Sequence, residues 1–531
     1  MELHGENKFK IRSYSNAYMT LRKLQEPLAE MSEEEISQIK GVGKAISAKI
    51  RELVDTGEMQ TLNKYLEKTP DGVVEMLSIS GFGPKKVKTV WDELGVESVG
   101  ELLYAVNENR LIELKGFGKK TQDDLKQKLE YFQRTRNQFH FASLEQAGEE
   151  VVSHLQKTLG NDTPVSLTGA IRRQAITLDG IDVLVGKTEL PDTVFGESLE
   201  KEKEKDGVAH ARTAGDYPVR IHLCTPDAFG NTLFRTTATE DFLEAFGVDL
   251  PQADSEADLF AKAALPVIDP VLRESAWAVE QAREDALPIL LTEEDIKGVV
   301  HSHSTYSDGI NTLREMAEYS RDHGYEYLVM TDHSKSAFYA NGLQPERVRQ
   351  QMEEIDALNQ EMAPFRIFKG IESDILSDGS LDYEDDTLSR FEVIIASVHS
   401  NLRMDKEKAT ERLLKAIAHP RTTMLGHPTG RLLLSREGYP IDHQKVIDAC
   451  ADHKVAIELN ANPYRLDLDW TWIPYALEKG VWISVNPDAH STAGIHDIHY
   501  GVLAARKGGL SADTCLNAMG LSGFSDWLTG R

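Results

Sequence analysis

From residue 298 to the end of the chain, seven apolar runs each lead into an imidazole or a carboxylate: "GVVHSHS", "YEYLVMTDHS", "FRIFKGIESD", "FEVIIASVHS", "TTMLGHPTG", "VAIELNANP" and "VWISVNPDAHS". Each run is too short for a core helix and apolar on both sides, which is the signature of a strand covered on both faces. Helical segments such as "QPERVRQQMEEIDALNQEM" separate most of them. Strands joined by helical crossovers run parallel. Seven such βα units predict a parallel (β/α) barrel with every strand's C-terminal end at one mouth, where the polar residues would meet.

Those residues have the chemistry of metal ligands. His301 and His303 are two apart and so share a side of their strand, and Asp308 follows in the turn. His333, Glu372, His399, His427, Asp488 and His490 come from later strand ends. Nitrogen and oxygen donors without thiolates suit Mn²⁺ first, or Zn²⁺ or Fe²⁺, and nine donors exceed the needs of one ion, so two or three ions are expected. Ions grouped in this way lower the pKa of a water and neutralise phosphoryl charge, which predicts hydrolysis of a phosphoester. Asp332, beside His333, should point the other way and serve structurally. Lys335, Arg431 and Arg465 lie near the same strand ends and are candidates for binding substrate phosphate.

The rest of the 531 residues suggests two or three further domains. A formal charge of −27 argues against wholesale coating of nucleic acid, but residues 1–140 are close to neutral and free to approach a polyanion. In that region "IKGVGKAISAKI", "ISGFGPKKVKTVW" and "LKGFGKKTQDDLKQKL" repeat an apolar residue, Gly-x-Gly and a lysine-bearing amphipathic helix. These read as helix–hairpin–helix units whose helix N-termini face a DNA backbone. The residues in question are Gly41, Gly43 and Lys44, then Gly81, Gly83 and Lys85, then Gly116, Gly118 and Lys119, with Lys86 and Lys120 adding attraction. The three cysteines are scattered without CxxC spacing, as in a reducing cytosol. No apolar run approaches the roughly 18 residues of a membrane span, and the N-terminus does not resemble a signal peptide. A cytoplasmic protein that binds DNA, does not enter membranes and is monomeric is expected.

Between these regions, "SLTGAIRRQAITLDGIDVLVG" (166–186) puts Asp182 on an apolar strand with Gly180 two positions before it. Metal-dependent nucleotidyl transferases commonly carry two carboxylates at that spacing, so this would be a two-metal site lacking half its ligands. "ESLEKEKEKDG" (197–207) reads as a solvated loop, and 263–295 as a connector.

The C-terminal motifs "HSHSTYSDG", "TDHS", "GIESDI", "SVHS", "GHP" and "NPDAHS" resemble the PHP (polymerase and histidinol phosphatase) domain, with all nine of that family's ligand positions filled. The whole chain resembles the bacterial family X DNA polymerases that carry a C-terminal PHP domain. The resemblance implies a multidomain α+β and α/β protein. It would comprise a lyase-like helical domain (1–75), a fingers-like helix–hairpin–helix domain (76–140), a polymerase-like palm and thumb (141–262), a linker (263–295) and a seven-stranded (β/α) PHP barrel (296–531). It also implies a Mn²⁺-stimulated 3′–5′ exonuclease or 3′-end-processing activity on gapped or 3′-ended DNA, in repair. Set against the family's palm pattern, Gly180 replaces one acid of G-D-I-D, Arg220 replaces the acid of V-D-L-R, Ala170 alters G-S-x-R-R-G, and "RTTATEDF" replaces the T-G-S turn. A guanidinium where a metal should sit predicts loss of polymerase activity, unless Asp216 supplies the missing acid. The alternatives are a phosphatase of a small metabolite, a non-catalytic DNA-end binder and an active gap-filling polymerase.

Overall fold

The computed structural model describes all residues except 25, 108, 109, 113, 115, 206 and 248–250. The chain divides into two compact units, Met1–Arg136 and Asn137–Arg531. Among the described residues no helix is long and apolar enough to cross a membrane.

The first unit is helical, and its three Gly-x-Gly sequences form the same turn three times. The first glycine of each, Gly41, Gly81 and Gly116, has φ of 88°, 72° and 91°, a region that only glycine enters cheaply. The middle residues Val42, Phe82 and Phe117 are buried, and each donates its N–H to the carbonyl three residues back, at 2.9, 2.9 and 3.0 Å. The second glycines, Gly43, Gly83 and Gly118, cap helices α1 (Lys44–Thr56), α2 (Pro84–Leu94) and α3 (Lys119–Thr135). Each first helical turn therefore presents unpaired N–H groups with a lysine beside them.

In the second unit, helix α4 (Phe141–Leu159) packs Leu144, Val151 and Leu155 on a five-stranded sheet. Its strands are β1 (Val165–Leu167), β2 (Ile181–Val185), β3 (Leu199–Lys205), β4 (Val208–Thr213) and β5 (Pro218–Leu223), in the order β1-β2-β5-β4-β3, with β2 and β5 parallel. The charged stretch expected to be a loop is largely β3, an edge strand paired antiparallel with β4. Only Leu199 of β3 is buried. Its Lys and Glu side chains are solvated, while the backbone finds partners on one side, the usual charged covering of a sheet edge. The stretch 263–295 contributes Leu272, Ala278, Val279 and Ala282 to a core built on Phe234, Phe242 and Phe260.

The barrel strands are β6 (Gly298–Ser302), β7 (Tyr327–Met330), β8 (Arg366–Asp374), β9 (Val393–Ser397), β10 (Met424–Leu425), β11 (Ala456–Asn460) and β12 (Ile483–Asn486). They pair in parallel in sequence order. The seam between β6 and β12 closes at the mouth, where His303 N donates to Ala489 O (2.8 Å) and Ala489 N to His301 O (3.2 Å). Lower down, Asn517 spans it by donating to Gly298 O (3.3 Å) and accepting from Val485 N (2.7 Å).

Helix α5 (Ile498–Lys507) belongs to two cores at once. Val502 and Ala505 pack on the barrel, whereas Leu503 packs on the palm-like sheet. The buried Lys507 ammonium donates to Arg173 O (2.8 Å) and Glu274 Oε1 (2.5 Å). His499 bridges Glu145 of α4 (2.8 Å) and Glu293 (2.6 Å). Hydrogen bonding to Glu145, opposed by burial and assisted by Glu293, raises the His499 pKa to about 9. Stability from this link is fully present below the unfolded value near 6.5 and is lost as pH rises through about 9. Because the imidazole is about one-third exposed, His499→Gln should cost only about 1 kcal/mol at pH 6 and nothing at pH 10, read as urea midpoints of the two proteins at both values.

Candidate metal centre

The barrel brings all nine expected donors to the C-terminal ends of its strands. Ligand atoms lying within 4.8 Å of one another form three groups among the described residues: His303, Asp308, His333 and His490; His301, His303 and Asp488; and His333, Glu372 and His399. His427 joins none of these, but its Nε2 is 3.0 Å from Glu372 Oε1, so it adjoins the third group. His301 and Asp488 hold φ of 67° and 51°, a conformation costly for side-chain-bearing residues and tolerated where a site demands it.

The donor atoms fit metal better than they fit one another. His301 Nε2, His303 Nδ1, Asp308 Oδ1, His333 Nδ1, Glu372 Oε2 and His427 Nδ1 are buried without a hydrogen-bond partner. His333 Nδ1 lies only 2.8 Å from Glu372 Oε2, close enough for an ion pair but not aligned for a hydrogen bond. Each such atom costs about 1–3 kcal/mol if nothing satisfies it. Burial, aided by the charges of His490 and His333, lowers the His303 pKa to about 3, leaving its ring neutral as a ligand must be. Burial also opposes charge on His399, but Glu372 and Asp374 outweigh it and raise the pKa to about 10.

A second layer orients the donors, and the sequence reading did not single it out. His301 Nδ1 lies 2.5 Å from Glu458 Oε2, and His399 Nδ1 lies 2.5 Å from Asp374 Oδ1, which turns each ring's Nε2 inward. Asn486 donates to Glu458 Oε2 (2.8 Å), and Asn460 to Glu458 Oε1 (3.1 Å) and Asp488 Oδ2 (3.1 Å). The available signal was strand alternation: Asp374 is two residues from Glu372, and Asn460 is two from Glu458. Asp332 is outside the three groups. Its buried carboxylate accepts from Ser304 N (2.8 Å), Ser307 N (3.1 Å) and Gln351 Nε2 (2.6 Å), fixing the loop that carries Asp308.

The three candidate phosphate-binding cations are placed differently. Arg465 Nε stands 4.0 Å from Asp488 Oδ2, at the cluster. Arg431 is committed to Arg465 O (2.9 Å), Leu466 O and Asp469 Oδ2 (2.5 Å), so it braces the loop that carries Arg465. Lys335 lies over the Tyr383 ring and lines a cleft with Asp382, Glu384 and Asp385, an acidic setting unsuited to phosphate.

Residues 1–59 match the family model described as a helix-hairpin-helix domain, and residues 73–130 match a SAM-like helix-hairpin-helix tandem. A protein of Bacillus subtilis (strain 168) named "DNA polymerase/3'-5' exonuclease PolX" is 34% identical over 99% of this chain and 96% of its own. The chain belongs to the PolX family. Part of it is also similar to shorter proteins, each named "Probable phosphatase". One from Thermoanaerobacter sp. (strain X514) is 27% identical over 41% of this chain and 88% of its own, and one from Vibrio atlanticus (strain LGP32) is 29% identical over 37% and 79%.

In this PolX family member Asp182 is held in a salt bridge. Asp182 on β2 pairs in register with Arg220 on β5. Arg220 donates Nε to Asp182 Oδ1 (2.7 Å) and a terminal nitrogen to Oδ2 (2.6 Å), and also reaches Asp179 (2.7 Å). His222 Nε2 lies 2.9 Å from Asp182 Oδ1. Gly180 has φ 157°, and a Cβ there would come within 2.8 Å of Pro218 O, so an acid could not replace it without moving β5. Asp216 occupies the turn before β5, exposed and paired with Arg212. Burial opposes charge on Asp182, but Arg220 and His222 overcome it and hold the pKa below its ordinary value.

Asp182→Ala would leave the partly buried Arg220 with only the exposed Asp179, at a cost of about 2–3 kcal/mol. The loss should show as a lowered Tm at pH 7. Because the native carboxyl has a depressed pKa, the gap from wild type should close as pH falls below about 4.

Proposed function

We propose that this protein is a DNA-repair phosphoesterase that hydrolyses phosphodiesters at DNA 3′ ends, as a 3′–5′ exonuclease or 3′-end processor in the bacterial cytosol. The supporting observation is the convergence of nine imidazoles and carboxylates at one barrel mouth, with buried ligand atoms that lack protein partners. In this reading His301, His303, Asp308, His333, Glu372, His399, His427, Asp488 and His490 hold two or three divalent ions, Mn²⁺ by preference. When bound, such ions neutralise phosphoryl oxygens and lower the pKa of the attacking water. Arg465 binds the substrate phosphate, Glu458 and Asp374 fix imidazole orientation, and Asp332 keeps the Asp308 loop in place. The name of the Bacillus subtilis relative and the paired helix-hairpin-helix matches support DNA as the substrate.

The domain limits proposed are 1–75, 76–140, 141–262 and 296–531, with 263–295, read from the sequence as a linker, packed into the core of Phe234, Phe242 and Phe260. The palm is proposed to lack template-directed synthesis, because Arg220 occupies the face of Asp182 that a metal would need. A second reading, a phosphatase of a small metabolite, is favoured by the likeness of part of the chain to proteins named "Probable phosphatase". The Gly-x-Gly turns separate the two, since a metabolite phosphatase has no use for three of them.

With Mn²⁺, purified protein should release mononucleotides from a 3′-labelled strand, and His301→Ala with His303→Ala should reduce release at least a thousandfold. If labelled DNA stays uncut while a small phosphomonoester is hydrolysed, the second reading replaces the first. Labelled dNTP should not be incorporated at a primed gap by wild type. Lys44→Glu, Lys85→Glu and Lys119→Glu together should weaken binding to gapped DNA by about tenfold or more and flatten its salt dependence, measured by anisotropy at two salt concentrations.

A further inference from the structure

Beside the donor cluster, the loop after β7 carries two large rings that the fold does not use. Phe338 is 85% exposed and Tyr339 is 68% exposed. The loop itself is fixed: Leu343 N donates to His333 O (2.8 Å), Gly342 N to Ala337 O (3.0 Å) and Ala337 N to Ser334 O (3.1 Å), and Ala337 and Ala340 are buried. Asn341 reaches across to Ser307 O (3.3 Å) on the Asp308 loop. A fixed loop that holds two aromatic rings in solvent gains nothing for the core and pays in exposed apolar surface.

The position of the rings gives them a use. The Tyr339 ring centroid is 6.1 Å from that of His333 and 6.4 Å from that of His399. Burial and the carboxylates of Asp374, Glu372 and Asp308 raise the Tyr339 pKa, while Arg465 acts the other way. The Tyr339 ring thus lies beside two imidazoles of the cluster, and much of the residue stays open to solvent. Next to Arg465, Tyr464 is 58% exposed, with its ring edge-on to His140 at 4.7 Å. Metal donors, a guanidinium and exposed aromatic rings therefore share one mouth. Stacking needs only the π-face that every nucleobase has, so such rings hold a strand without reading its sequence.

Resting on the reading of the cluster as a nuclease site, we infer that Phe338 and Tyr339 form a base-stacking subsite for the nucleotides adjoining the scissile phosphate, and so set the preference for a nucleic acid over a small phosphoester. Both rings project into solvent, so their removal spares the core. The loop is already anchored, so little ordering cost is incurred on binding.

The test uses full-length Mn²⁺-loaded protein and a dT₁₂ strand ending in 2-aminopurine behind a slowly cleaved phosphorothioate. Wild type should quench the probe on binding, and Phe338→Ala with Tyr339→Ala should abolish the quench. Tyr339→Phe, which keeps the ring, should retain it. In steady-state cleavage the double variant should raise KM for a base-bearing 3′ end about tenfold or more with kcat within about twofold. KM for a strand whose last two positions are abasic tetrahydrofuran should stay as in wild type. An unchanged quench in the double variant overturns the subsite, as does an equal rise in KM for base-bearing and abasic ends. A ring-dependent quench without cleavage of any strand supports the subsite and overturns only the hydrolytic reading.

Discussion

The mouth of the barrel concentrates imidazoles and carboxylates that only partly satisfy one another, and a surrounding layer of polar residues holds them there. Six buried polar atoms without partners would by themselves offset much of a domain's net stability. The compensation comes from outside the cluster. Glu458 and Asp374 take the outer nitrogens of His301 and His399, Asn460 and Asn486 hold Glu458, and Asp332 ties down the neighbouring loop. The positive φ values of His301 and Asp488 fall where two of the ligand strands meet across the barrel seam. At this mouth, backbone strain and partnerless polar atoms therefore coincide, where an ion could relieve them.

The palm meets a related problem in the opposite way. A lone carboxylate on a buried strand is costly unless it is paired, and here Arg220 on the neighbouring strand bonds both oxygens, with His222 also on Oδ1. One chain therefore contains two solutions to buried negative charge. One keeps ligand atoms open to an ion, and the other closes them with a guanidinium.

Much of this was legible in the sequence, and its limits have physical causes. Strands covered on both faces announce themselves by apolar runs, so the barrel and its seven strand ends could be read directly, as could the triple Gly-x-Gly turn. The outer layer of the metal centre was harder. Glu458 lies in the same kind of strand-end position as Glu372, and only the three-dimensional path of the strands shows that it supports His301 while Glu372 faces inward. Arg431, Arg465 and Lys335 look alike in sequence, yet Arg431 is committed to three partners on the loop that carries Arg465. The edge strand at 199–205 escaped notice because solvated Lys and Glu carry no periodic apolar signal, while the backbone pairing that defines the strand has no signature in side-chain type.

Helix α5 ties the five-stranded sheet and the barrel into one body. Its Leu503 is covered by the palm-like sheet, and its buried Lys507 is neutralised by Glu274 and the carbonyl of Arg173 from outside the barrel. A barrel stripped of that neighbour would show water an apolar ridge and hold an unpaired ammonium in a poorly hydrated niche. Deleting the sheet would thus require several simultaneous repairs to the barrel. Such a dependence acts as a ratchet: whatever chemistry the sheet carries, the barrel has come to use it as an outer wall.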